Sequence, residues 1–251
     1  MIRIVIIGTG NVATHLLEAF SNCNTIEVFQ VSGRIQPESS FFQGIETIAT
    51  KTKADVYIIA VKDDKIAEVA HHFPLKNTLL VHTSGAAPMQ VLNDKNRSGV
   101  FYPLQTFTKG NTVNFKNIPI CIEATTEKDM QLLKKIATLI SNKVYQISSE
   151  QRKTLHVAAV FVNNFTNQLY EIGNEICENH HIPFAILKPL IQETANKLNT
   201  LSPKEAQTGP AVRNDEKTIA SHLEQLSNNS YKEIYKLLTA SIKETHGRKK
   251  L

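Results

Sequence analysis

The chain has 251 residues, 41% of them hydrophobic and 20% charged, with a formal net charge of +5. That is the composition of a globular protein with room for two ordinary domains, and no apolar run approaches the roughly 18–20 residues that cross a bilayer. Three widely separated cysteines, Cys23, Cys121 and Cys177, without any paired Cys/His spacing, exclude a disulfide framework and a structural metal site and read as free thiols. Part of the positive charge lies in the C-terminal His246–Lys250 segment, and with no basic helix or aromatic platform the chain does not read as a nucleic-acid binder.

The first apolar run, Ile2–Ile7, breaks at Gly8 and lacks a small-residue cleavage site, so it reads as a buried strand rather than a signal peptide, and a cytoplasmic protein is expected. Gly8-Thr9-Gly10-Asn11-Val12-Ala13 follows it and opens a helix whose apolar stripe is Val12, Leu16, Leu17 and Phe20. A GxGxxA loop between strand and helix is the context in which a dinucleotide is bound. Gly8 permits the turn, Gly10 admits the diphosphate, Ala13 packs on the strand, and the backbone from Thr9 to Val12 faces the phosphates. The second strand, Ile26–Val31, is followed by Ser32-Gly33-Arg34 with no acid at its end. A hydroxyl and a guanidinium there suit the 2′-phosphate of NADP better than the ribose hydroxyl of NAD. The third strand, Ala54–Val61, delivers Ala60, Val61 and Lys62 to the same edge, with Lys62 either meeting a phosphate or facing water.

Further strands are predicted at Thr78–His82, Gly99–Tyr102 and Ile118–Glu123, a helix at Glu127–Ile140, and a last strand at Lys143–Ile147. This alternation predicts an α/β domain, a doubly wound parallel sheet of Rossmann type over residues 1–148. His82-Thr83-Ser84-Gly85 leaves the fourth strand at the carboxyl edge, beside the expected nicotinamide. Backbone at Ser84 and Gly85 would meet the cofactor, and His82 and Thr83 the substrate, although His82 also reads as a core histidine. Tyr102–Phe107, including Gln105, should line the same crevice.

From Ser149 the pattern becomes helical: about Glu150–Asn179 as one spine or with a single break, then Ala185–Thr200, Asp215–Leu226 and Ser230–Thr245. The expected second domain, residues 149–251, is all helical, and its long apolar stripe predicts a homodimer. Arg152, Lys153, His156, Asn163 and Asn164 fall near the start of that helix. His156, Asn163 and Asn164 share one face with Val160 as a polar cluster on the apolar stripe, serving either a site or a helix–helix or dimer contact, since buried amides must be satisfied. Thr208–Asp215 reads as a loop before a helix capped by Asp215, with Arg213 serving either a substrate carboxylate or a salt bridge.

Together these residues resemble the superfamily of pyrroline-5-carboxylate reductases, deazaflavin-dependent NADP reductases and 6-phosphogluconate-type dehydrogenases. More closely, His82-Thr83-Ser84-Gly85-Ala86, Tyr102-Pro103-Leu104-Gln105-Thr106-Phe107 and Thr208-Gly209-Pro210, with Arg213 and Asp215, resemble a bacterial family pairing a Rossmann-like domain with a helical domain of unknown function. The resemblance implies a helical domain of 6-phosphogluconate dehydrogenase-like type. It also implies a general acid/base at His156, oriented by Asn163 or Asn164, although the lysine spacing of hydroxyacid dehydrogenases is not reproduced. The expected activity is hydride transfer between NADP and a small anionic imine, keto or hydroxy compound in the crevice between domains. A nucleotide sensor without turnover is the alternative, and a deazaflavin as second redox partner stays open.

Overall fold

In the structure, a computed structural model, residues 1–31, 44–45, 51–92 and 94–247 are described. The strands β1 (Ile2–Ile7), β2 (Ile26–Val31), β3 (Val56–Ile59), β4 (Leu79–His82), β5 (Arg97–Pro103), β6 (Ile120–Ala124) and β7 (Val144–Gln146) form one sheet in the order β2-β1-β3-β4-β5-β6-β7. All ladders are parallel except β5 with β6, which is antiparallel. The exception has a physical cause. A parallel return needs a crossover, normally a helix. Between Pro103 and Ile120 the chain holds only the short 3-10 turn Phe115–Asn117, so it re-enters the sheet from the edge where it left.

The near-continuous apolar runs of β1, β3 and β4 are explained by burial on both faces. Alternation along β1 sends Ile4 and Ile6 to one core, with Leu16 and Phe20 from α1 (Asn11–Ser21) and Leu133 and Ile136 from α3 (Glu127–Ile140). Val5 and Ile7 go to the other core, with Ile66 and Val69 from α2 (Ile66–His71). α3 occupies its expected span because Thr126 caps it, accepting a hydrogen bond from the Asp129 N–H.

Ser148 and Gln151 form a capping box that starts α4 (Ser149–Ala159). The expected long helix then passes through a π-helical turn, Val160–Phe165, before α5 (Thr166–Asn179). Two valines, two phenylalanines and two asparagines in six residues lower helix propensity where the hydrogen-bond pattern slips. The helices α6 (Lys188–Asn196), α7 (Pro203–Ala206), α8 (Glu216–Gln225) and α9 (Asn229–Gly247) complete the chain. Asp215 caps α8 as its position predicts, accepting from the Thr218 N–H at 3.1 Å. Tyr231 on α9 donates to Glu175 on α5, and Lys243 on α9 meets Glu216 on α8 at 2.5 Å.

The chain divides into two compact units, Met1–Phe161 and Val162–Leu251. The division falls later than the start of α4, near which the sequence puts the boundary, because α4 is tied to the sheet. Arg152, 1% exposed, donates from Nη1 to Glu123 Oε2 on β6 at 2.5 Å. Its Nη2 donates to the Ala87 carbonyl at 2.6 Å and to Ser149 Oγ at 3.2 Å. The Ser149 hydroxyl donates to Glu123 Oε2 at 2.8 Å and accepts the Met89 N–H at 3.0 Å. One buried ion pair thus joins β6, the segment after β4 and the first turn of α4. Arg152→Ala should cost about 3–5 kcal/mol in urea unfolding, because it strands a carboxylate. The double replacement Arg152→Leu with Glu123→Leu should cost distinctly less. Equal losses would mean that packing, not the pair, holds α4.

Candidate functional site

β1 has β2 on one side and β3 on the other, so the chain reverses direction across the sheet at β1, and open α/β sheets bind ligands beyond the carboxyl ends of the strands at such a switch point. Gly8 stands at that point with φ +129, and a Cβ there would be driven into the Ala60 carbonyl. Neighbouring strands hold the loop: the Gly8 N–H donates to the Val31 carbonyl at 3.3 Å, and Gln30 Nε2 donates to the Gly8 carbonyl at 2.9 Å. Gly10 differs. It is the extended N-cap of α1, no side chain caps the helix, and a Cβ at Gly10 meets nothing within 4 Å. The first N–H groups of a helix have no partner within it, and its N-terminal end is positive. Open space over such amides fits the diphosphate of a dinucleotide.

The structure also shows a tether here that sequence reasoning missed. Asn11 Nδ2 donates to the Phe107 carbonyl at 2.8 Å, so this side chain fixes the segment after β5. Buried His15 has Nδ1 2.7 Å from the Asn11 carbonyl and Nε2 2.9 Å from the Asn111 carbonyl, with its ring 4.9 Å from that of Phe107. The signal available in the sequence was a histidine interrupting the apolar stripe of α1, four residues after Asn11.

Beyond β3, Ala60 is buried, Val61 is half-buried and Lys62 is exposed. Ser32 and Arg34 lie outside the described residues. At the end of β4, His82 is fully buried and its Nδ1 accepts the Ser84 N–H at 3.2 Å. Its proton therefore sits on Nε2, which has no hydrogen-bond partner among the described residues. Burial, then the nearby Arg152 guanidinium, pulls the imidazole down to about 4, so His82 stays neutral. Thr83 is also buried, its N–H donating to the Ile59 carbonyl at 3.2 Å. Ser84 Oγ accepts the Ala86 and Ala87 N–H groups at 3.1 and 2.9 Å. His82 Nδ1 and Ser84 Oγ shape the turn that presents Gly85.

Gly85 packs against two side chains at once: a Cβ on it would lie 2.7 Å from both His156 Nδ1 and Tyr102 Cζ. Tyr102, near the end of β5, has its hydroxyl 3.5 Å from His156 Nδ1, with the rings edge to face at 6.4 Å. Burial pushes the Tyr102 phenol up to about 12 and the thiol of Cys121, its cross-strand partner, up to about 11, so both remain protonated. Sequence reading had Tyr102 only as crevice lining, and its pairing with His156 needed the packing of α4 on the sheet. Gln105 is turned back, its Oε1 accepting the Thr106 N–H at 2.8 Å. Asn163, Asn164 and Arg213 belong to the second unit and are exposed there.

A glycine loop at the switch point of a largely parallel sheet, with a tyrosine and a histidine on the carboxyl edge, defines a Rossmann-type dinucleotide fold. Two family models match the chain: NADP oxidoreductase coenzyme F420-dependent over residues 3–85, and a domain of unknown function, DUF2520, over residues 118–242. The structure of a Bacteroides fragilis protein named as a candidate NADP oxidoreductase is 41% identical, with 97% of this chain and 98% of that chain covered and a TM-score of 0.84. A Thermotoga maritima protein is 21% identical over 100% of both chains with a TM-score of 0.75. A reductive aminase from Aspergillus terreus shares the fold at 12% identity, 99% and 95% coverage and a TM-score of 0.64. No curated protein matches the chain. The chain belongs to the Rossmann-type NADP oxidoreductase family in which this N-terminal domain is joined to DUF2520.

The buried neutral His82 gives stability a pH dependence of definite sign. An unfolded imidazole takes its proton near 6.5, whereas this one resists until about 4. Between those values the unfolded state binds more protons, so stability is full above pH 6.5 and falls as pH drops towards 4, by about 3 kcal/mol in all. Urea unfolding at stepped pH should show this fall in the wild type and a flatter profile in His82→Asn. Parallel profiles would assign the acid sensitivity elsewhere.

Proposed function

We propose that the protein is an oxidoreductase that binds NADP(H) on the Gly8–Val12 loop and acts on a small anionic imine, keto or hydroxy compound. The observation that carries this reading is the open space at Gly10 above an uncapped helix start, on the same sheet edge as Tyr102 and His156. Its fit to a diphosphate agrees with the NADP oxidoreductase family to which the chain belongs. When bound, the nicotinamide supplies or takes the hydride. The chain does the rest: Ser84 and Gly85 border the cofactor, and His156 gives or takes the substrate proton. Asn163 or Asn164 orients the substrate, and Arg213 anchors its acid group. Ser32 and Arg34 meet the 2′-phosphate, which selects NADP over NAD.

The active species in this reading is a homodimer. Val162, Ile186, Leu190 and Leu237 of the helical unit are 76, 65, 63 and 72% exposed, an apolar surface that a second copy would cover. Three free cysteines suit the reducing cytoplasm. Light scattering should give twice the chain mass of 28.0 kDa; a monomer at micromolar concentration contradicts the dimer.

Titration of the purified protein with NADPH and NADH tests the cofactor. NADPH should bind at least about tenfold more tightly, a difference of ~1.4 kcal/mol. Arg34→Ala should abolish that preference, and Gly10→Val should abolish binding of both nucleotides while leaving the unfolding midpoint in place. Binding of neither nucleotide to the wild type would overturn the reading.

A further inference from the structure

We infer that Tyr102 sets the tautomer of His156, its phenol oxygen accepting a proton held on Nδ1 and so leaving Nε2 as the ring atom that exchanges a proton with substrate. The inference rests on the acid/base reading of His156 and deepens it. Three contacts define the geometry. Nδ1 faces the Tyr102 hydroxyl at 3.5 Å, at the outer limit of a hydrogen bond. The backbone at Gly85 closes over both groups, with no room for a single added methyl beside Nδ1. The Arg152–Glu123 pair, one helical turn before His156, fixes α4 and with it the position of the ring.

Nδ1 is therefore walled in by Gly85 and Tyr102, and Nε2 is the nitrogen left for a ligand. A neutral imidazole has one N–H and one lone pair. If Tyr102 donated to Nδ1, Nε2 would carry the only ring proton and could accept none. A ring that works at Nε2 must keep its other proton on Nδ1 throughout. As an acid, the imidazolium releases the Nε2 proton to the substrate, the N–H electron pair stays on Nε2, and Nδ1–H remains bonded to the Tyr102 oxygen. In the reverse direction Nε2 takes the proton back. Tyr102 stays a neutral phenol in both states, because burial opposes its ionisation. It acts through His156 and is a positioning residue.

The tautomer can be read without cofactor or substrate. The full chain is labelled with 15N-histidine, held at alkaline pH where imidazoles are neutral, and long-range 1H–15N correlations are recorded, with His156 assigned from the signal lost in His156→Gln. The expected wild-type pattern has Nδ1 protonated and Nε2 bare, the opposite of the form that histidine side chains favour in water. Tyr102→Phe, which keeps the ring and removes only the hydroxyl, should revert His156 to the Nε2–H form, and the other histidine signals show that the variant is folded. A wild type already in the Nε2–H form, or a Tyr102→Phe variant with an unchanged tautomer, overturns the inference. NADPH added to the same sample separates the two readings. Binding with an Nε2–H His156 sinks this inference alone, and an Nδ1–H His156 without binding sinks the cofactor reading alone.

Discussion

A guanidinium that is 1% exposed has to be met by an acceptor of opposite charge, and the way Arg152 is met organises the site. Its partner Glu123 comes from β6, its second acceptor is the Ala87 carbonyl beyond β4, and Ser149 links the same carboxylate to the start of α4. Three segments distant in sequence are brought to one point. From there one turn of α4 carries His156 against Tyr102 and Gly85. The pair also bears on His82, whose imidazole is held neutral partly by the Arg152 charge.

The nucleotide end of the crevice depends on a different constraint, the contact between Gly8 and the Ala60 carbonyl. That close approach brings the end of β1 against the end of β3 and aims α1 at the opening. The segment after β5 is then fastened to the first turns of α1 through Asn11, His15 and Phe107. The strand that carries Tyr102 thus runs directly into a segment anchored beside the glycine loop.

Much of this architecture was legible in the sequence. Strands buried on both faces write themselves as near-continuous apolar runs, and Asp215 announces the helix it caps. The glycine loop was readable because its chemistry is local: three small residues between one strand and one helix. What escaped depended on packing between distant segments. The reversal of β6 follows from a connection too short of helix to cross over, which no periodicity reports. Arg152 falls near the start of the same predicted helix as His156, and nothing in the sequence marks it as a buried structural cation. Tyr102 and His156 are 54 positions apart, and only the fold makes them neighbours.

Under the proposed function, α4, fixed by the Arg152–Glu123 pair, sets His156 and Tyr102 beside the nicotinamide of the bound cofactor. Intermolecular NOEs from the nicotinamide H4 protons of bound NADPH test it most directly. The account predicts cross-peaks to the ring protons of Tyr102 and His156, together with amide shifts at Gly10 and Asn11. Amide shifts at the glycine loop with nicotinamide cross-peaks only to other residues would contradict it.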